Sequence, residues 1–271
     1  MKVYYHNDQD GLCSAAIVKY KFAVAECFET TYGEVPDLKT IREGETVYVV
    51  DLSFPPEIMH YLKVHHNLVW IDHHKSAIEH SKEFSWGGSN GVRDVKFSAA
   101  WLTWRHLFGD YAVMPRAVEL INNYDLWKLD EDVIAFHCWI DWANLNPNNP
   151  VWNFFFEINH MESALKQGKQ LYQYLCMIHR NAFKRSVEIE TDNDGIKCLR
   201  INTQIVDSLV FHFLMDEWDC DMIEAYYDVG PRRYVRMRSR GDIDVSVYAR
   251  RMGGGGHKNA ASYSYLKGEK S

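Results

Sequence analysis

The chain has 271 residues, enough for one large or two medium domains. It is 46% hydrophobic, 25% charged and 14% aromatic, a globular composition with no stretch of the roughly 18 apolar residues that a membrane helix needs. A formal net charge of −7 argues against coating long duplex nucleic acid through an overall positive field, yet leaves room for a short anion held by bound cations and local arginines.

The chain opens with a short apolar strand, Lys2 to Tyr5, that ends in His6, Asp8 and Asp10. Cys13 to Phe22 reads as a helix with Ala15, Ala16, Ile17 and Tyr20 on an apolar face; the small residues Gly11 and Ser14 let it start close to the strand end. Ala25 to Thr31 is a second strand, and Pro36 to Gly44 is polar and irregular. Thr46 to Val50 is the next apolar strand, ending in Asp51, and Pro55 suits the start of a helix running to about Lys63. His65 and His66 precede the following strand and belong at its opposite end.

That strand, Leu68 to Ile71, reads as buried on both faces and ends in Asp72, His73 and His74. His80 reads as loop surface, and 83–94, rich in Gly, Ser and Asn, as a loop long enough to suggest function. Helices are expected over Phe97 to Leu107 and Pro115 to Asn122, the second feeding directly into Asp125. Trp127 reads as packing, and Trp139 and Trp142 as structural.

Val151 to Arg185 is helical in pattern, with Phe155, Ile158, Met161 and Leu165 at helical spacing, and then Leu171, Leu175 and Ile178. Strands follow over Ser186 to Glu190, Ile196 to Asn202 and Ile223 to Val229, with a helix over Ile205 to Glu217. Arg232 to Arg240 is a strand in which Arg236, Arg238 and Arg240 share the period of two and one face. The arginines at 232 and 233 read as a solvated turn. Val245 to Met252 is a helix, Gly253 to Gly256 a glycine run, and Ala260 to Tyr265 a last strand.

Three strand ends thus carry histidine or carboxylate groups, which are costly to bury unless paired or bound to metal. Ligands beyond the carboxyl ends of parallel strands are the rule in α/β sheets, and this donor set suits a hard divalent cation held by O and N atoms. At the other end of the chain, four glycines bring backbone N–H groups near a phosphate, His257 adds a donor, and arginine forks bind phosphate or stack on a base. The six cysteines are scattered singly with no CxxC pair, so neither a thiolate zinc site nor a disulfide framework is expected. A reducing cytoplasm is the expected setting, with no secretory signal and no membrane partner.

HNDQDG at His6 to Gly11, VVD ending at Asp51, DHH at Asp72 to His74, NYDLW at Asn123 to Trp127 and GGGGHKNAAS at Gly253 to Ser262 together resemble the DHH-family phosphoesterases with a DHH-associated C-terminal domain. The resemblance covers nearly the whole chain. It implies an α/β fold: a mostly parallel-sheet catalytic domain over 1–150, a helical connector over 151–185, and a smaller domain with a mixed sheet over 186–271. It further implies two divalent ions, Mn²⁺ foremost and Mg²⁺ as the alternative. His6 and Asp8 would bind one, Asp10, His73 and Asp125 the other, and Asp51 would bridge them. Asp72 would orient the cluster, and His74 would contact phosphate near the leaving group. Arg236, Arg238, Arg240, Gly253, Gly254, Gly255, Gly256 and His257 would hold substrate.

Many family members place the first histidine four residues before the first aspartate. Here the interval is two, a form similar to the branch of short-oligonucleotide nucleases. The expected activity is therefore two-metal hydrolysis of short oligonucleotides to mononucleotides, with homodimerisation open. The alternatives are an inorganic pyrophosphatase or exopolyphosphatase, a 3′-phosphoadenosine 5′-phosphate phosphatase, and a non-enzymatic nucleotide sensor.

Overall fold

The computed structural model describes residues 1–31, 33–83, 90–158, 161–184, 187–191, 195–204 and 208–268; the side chains of Glu83, Ile158 and His257 fall outside this set. The chain divides into two compact units, Met1–Tyr172 and Gln173–Ser271.

In the first unit, four strands form an all-parallel sheet in the order β2-β1-β3-β4. They are β1 (Lys2–His6), β2 (Glu26–Thr30), β3 (Thr46–Val50) and β4 (Asn67–Ile71). Alternate residues of the central strands enter opposite cores, which is why their sequences are continuously apolar. Tyr4, Val47, Val49, Leu68 and Trp70 pack with Met59 and Leu62 of α2 (Pro56–His65). Val3, Tyr5, Tyr48, Val50, Val69 and Ile71 pack on the other side, against Ala15 and Val18 of α1 (Gln9–Lys21) and Leu102 of the helix Ala99–Phe108.

Helix α1 begins four residues before the expected Cys13, because the Asp8 side chain accepts the Gly11 N–H and caps it. A Cβ on Gly11 would lie 2.2 Å from the His6 carbonyl oxygen, so only glycine lets the helix start this close to β1. Pro36 to Gly44 holds one short 3₁₀ turn, Leu38–Thr40.

Beyond β4 come α3 (Lys75–Glu83), α4 (Ala99–Phe108), α5 (Arg116–Asp125) and α6 (Glu131–Ala143). The sequence reading lacks α3 and α6, and His80 is exposed on α3 rather than in a loop. Of the expected loop 83–94, residues 84–89 lie outside the described set, while 90–94 run beside β4 as an edge extension. There Trp70 N–H donates to Asn90 (2.8 Å) and Asp72 N–H to Val92 (3.2 Å). The aromatic core of this unit joins Ile17, Trp104, Ile121, Phe136 and Ile140 to Trp152, Phe155 and Phe156, which come from the short helix α7 (Val151–Asn153) and the π-turn Phe154–Ile158. The long helix α8 (Glu162–Phe183) follows, and the division between the units falls within it.

The second unit is a six-stranded mixed sheet in the order β5-β6-β7-β8-β10-β9, with β6 and β7 parallel and the other pairs antiparallel. Its elements are β5 (Val187–Thr191), β6 (Lys197–Asn202), α9 (Ser208–Glu217), β7 (Met222–Val229), β8 (Arg232–Ser239), α10 (Val245–Arg251), β9 (Gly255–His257) and β10 (Ala260–Leu266). The expected starts at Ser186 and Ile205 lie outside the described residues. Leu199, Ile201 and Ile223 face α9, while Met222, Val235 and Met237 face α10. As expected of a strand from Arg232, Arg232 and Arg233 begin β8 and do not form a solvated turn, and Arg233 pairs with Asp228 at 2.8 Å. Among the described residues no helix is long and apolar enough to cross a membrane.

Candidate metal centre

Three parallel strands deliver their carboxyl ends to one place. His6 closes β1, Asp8 and Asp10 follow at the start of α1, Asp51 follows β3, and Asp72, His73 and His74 follow β4. Asp125, the last residue of α5, arrives from the side. The ligand atoms fall into three overlapping groups, each within 4.8 Å: His6, Asp8 and Asp51; Asp10, His73 and Asp125; and Asp51, His73 and His74.

Asp51 sits at the centre. Its Oδ2 is 3.7 Å from His6 Nδ1, and its Oδ1 is 3.3 Å from His73 Nε2 and 3.8 Å from His74 Nδ1. His73 also lies 3.7 Å from Asp10 Oδ2 through Nε2 and 3.5 Å from Asp125 Oδ2 through Nδ1. Asp51 is 1% exposed, yet neither of its carboxylate oxygens accepts a hydrogen bond among the described residues. Its backbone is left-handed, with φ at 59°, a conformation that aspartate adopts more readily than most residues.

Burial, followed by the charges of Asp10 and Asp8, pushes the Asp51 carboxyl well up from its ordinary value. Burial and Asp10 likewise bring Asp125 up to about 7. The neighbouring Asp51 and Asp8 carboxylates raise His6 to about 10. A divalent cation held here would relieve these costs together, pairing the carboxylates, taking the place of the imidazolium proton and satisfying the Asp51 oxygens that accept no hydrogen bond among the described residues. The donor set of imidazole nitrogen and carboxylate oxygen fits Mn²⁺ or Mg²⁺.

The surrounding hydrogen bonds hold these groups in place. Both Asp10 oxygens accept backbone N–H groups at the start of α4, from Ala99 (2.6 Å) and Ala100 (2.8 Å). Fully buried Asp72 accepts three bonds through Oδ1: His73 N–H at 2.7 Å, His74 N–H at 3.0 Å and the His74 ring at 2.7 Å. Burial, the largest single influence, lowers the His74 pKa, but the Asp72 bond together with the Asp72 and Asp125 charges raises it on balance. Because His74 Nδ1 points at Asp72, that nitrogen carries the proton and its lone pair is not offered to a metal.

Sequence reasoning missed Gln9. Its side chain, between Asp8 and Asp10, donates to Asp141 Oδ1 (2.5 Å) and the His137 carbonyl (3.0 Å) of α6, tying the ligand loop to that helix. Nothing local signals a bond across 132 residues. His66 belongs to the far side: it caps the carboxyl end of α2 before β4 begins, with its Nδ1 3.1 Å from the Arg42 carbonyl.

In the second unit, Arg236 and Arg238 lie on the α9 side of β8, and Arg240 follows just past its end. Arg238 bonds Ser208 through two nitrogens (3.2 and 3.0 Å), and Arg240 pairs with Asp216 at 2.6 Å. The glycine run has structural duties of its own. The N–H groups of Gly253 and Gly254 close the end of α10 on Arg250 and Ala249. Gly253 has φ at 75°, and a Cβ on Gly254 or Gly256 would meet β10 backbone at 2.2 or 2.4 Å. Only Gly255 of the run has open space and an ordinary φ. The His257 side chain lies outside the described set.

No family profile matches the chain. An uncharacterised protein of Acanthamoeba polyphaga mimivirus is 27% identical over 310 residues, an alignment covering 98% of this chain and 68% of the relative. Three solved structures are similar in fold. The pGpG-specific phosphodiesterase PggH from Vibrio cholerae is 13% identical with a TM-score of 0.63, over 98% of this chain and 93% of that one. The DHH domain of a member of a ribosomal-protein family is 12% identical with a TM-score of 0.63, over 99% and 83%. An exopolyphosphatase-related protein from Bacteroides fragilis is 12% identical with a TM-score of 0.50, over 99% and 87%.

Proposed function

We propose that this chain, which has the fold of DHH-domain proteins, is a metal-dependent phosphodiesterase that degrades short oligonucleotides to mononucleotides. One observation carries the reading: Asp51, buried and with neither carboxylate oxygen hydrogen-bonded among the described residues, stands between the His6–Asp8 pair and the Asp10–His73–Asp125 group. In this reading His6 and Asp8 would hold one ion, Asp10, His73 and Asp125 the other, and Asp51 would serve both. Mn²⁺ is the preferred ion and Mg²⁺ the alternative.

Such a pair, when bound, generates a nucleophile from water at neutral pH and stabilises in-line displacement at phosphorus. The chain's own groups do the rest. Asp10 is fixed by α4 so that its position does not drift as substrate arrives. Asp72 holds His74 in one tautomer, which makes Nε2 the nitrogen presented to the substrate phosphate, and the raised pKa favours a ring that donates there. No serine or cysteine nucleophile is required. Within the second unit, Arg236, Arg238, Arg240, the Gly253 to Gly256 run and His257 are the groups whose chemistry suits phosphate.

A dinucleotide-sized substrate is favoured because a phosphodiesterase specific for pGpG has this fold. The likeness to an exopolyphosphatase-related protein supports a rival substrate of linked phosphates. The deciding experiment compares Mn²⁺-dependent hydrolysis of a dinucleotide, a long single strand, a cyclic dinucleotide, pyrophosphate and 3′-phosphoadenosine 5′-phosphate. Release of mononucleotides from the dinucleotide in preference to the others is the expected result. Turnover of pyrophosphate without turnover of the dinucleotide would refute the proposal.

A further inference from the structure

Five helices among the described residues run into a left-handed residue at their carboxyl end. At α4 it is Gly109 (φ 93°), at α6 Asn144 (φ 47°), at α9 Asp219 (φ 49°) and at α10 Gly253 (φ 75°). These are the residue types that adopt the conformation at little cost. The fifth helix, α5, breaks the rule with Trp127, at φ 57°.

The geometry there is a complete helix stop. Trp127 N–H donates to the Tyr124 carbonyl at 2.9 Å and Lys128 N–H to the Asn123 carbonyl at 2.7 Å, the paired bonds of a Schellman motif. Glycine would serve that motif better than any bulky side chain. The indole does not repay the strain through full burial, because Trp127 is 45% exposed. It is, however, held: Tyr124 meets it edge-to-face at 5.8 Å, and Tyr124 itself stacks on His137 at 3.7 Å. The ring therefore stands as a supported aromatic surface, two residues past Asp125, the group that α5 delivers to the candidate metal centre.

We infer that Trp127 is a stacking platform for a nucleobase of the substrate, placed beside the scissile phosphate. The inference rests on the oligonucleotide reading above and adds the residue that distinguishes a nucleotide from bare phosphate. Every base has a π-face, so stacking gives affinity without sequence preference. A strained backbone at a working position is the expected companion of such a role.

The test uses the full chain with Mn²⁺ and two substrates, a dinucleotide and the same phosphodiester lacking both bases. Wild type is expected to favour the base-bearing substrate in kcat/KM by roughly 5- to 150-fold, the range that base–aromatic stacking supplies. Trp127→Gly should collapse that ratio towards one, and Trp127→Phe should keep most of it. Trp127→Phe, which keeps a ring against Tyr124, controls for the packing that the glycine variant loses. A ratio unchanged in Trp127→Gly would overturn the inference and make the indole a packing group, while leaving the phosphodiesterase reading intact. Absence of wild-type cleavage of both substrates would instead sink the function, and the platform with it.

Discussion

Asp72 offers a sharp test of how the centre is built. Its Oδ1 accepts the N–H groups of His73 and His74 and the His74 ring, all within 3.0 Å, at a position with 0% exposure. Asp72→Ala strips the acceptor from two backbone donors. A buried donor left unmade costs about 1 to 3 kcal/mol, so the two together cost about 2 to 6 kcal/mol. That is a large part of the roughly 5 to 15 kcal/mol that holds an ordinary domain folded. Asp72→Asn keeps a carbonyl oxygen for the same donors; it loses the charge on the His74 bond, a difference of about 1 kcal/mol, and sets an amide NH₂ where Oδ2 lies buried with no hydrogen bond among the described residues. Urea unfolding of the two variants, with m-values compared, measures the gap directly. The asparagine variant should be the more stable by at least about 1 kcal/mol, and its pH–rate profile should shift to lower pH as His74 loses the charge of the partner that raises it. Equal stability of the two variants, within about 0.5 kcal/mol, would refute the claim that Asp72 organises the histidine pair.

Two further outcomes follow from the same geometry. Gly254→Ala and Gly256→Ala should lower stability because a Cβ meets β10 backbone, whereas Gly255→Ala should leave it unchanged or slightly raised; thermal melts of the three variants check this. Metal-free protein should lose stability as pH rises. Asp125, raised to about 7, contributes most below its unfolded value and loses that contribution as pH climbs through about 7. His6, raised to about 10, likewise contributes most below its unfolded value, and its contribution is lost as pH climbs towards 10. Melts of chelated and Mn²⁺-loaded protein across this window should show the slope only in the chelated sample.

The strand ends were legible because a four- or five-residue apolar run that stops at His or Asp has few structural explanations. The cluster at His6, Asp51 and Asp72 to His74 shows it, and β3 falls on the residues expected. Helix α6 was not legible: Val133, Ala135, Phe136, His137, Cys138 and Ile140 are all buried, so its apolar residues mark no single stripe. Helix α3 failed for the opposite reason, since Lys75 to Glu83 carries too few apolar residues to show a period. The Gln9–Asp141 bond and the Arg240–Asp216 pair are long-range meetings of polar side chains, which local pattern does not encode. The composition of the glycine run suits phosphate or a loop equally and does not reveal that three of its four members answer to the α10 stop and the β10 backbone.

The central claim is that Asp51 joins two cations. Anomalous scattering from crystals of the Mn²⁺-loaded protein measures this most directly. Two full peaks roughly 3.5 to 4 Å apart, both within bonding distance of Asp51, are the predicted result. A single peak at full loading, or two peaks of which only one contacts Asp51, would contradict it.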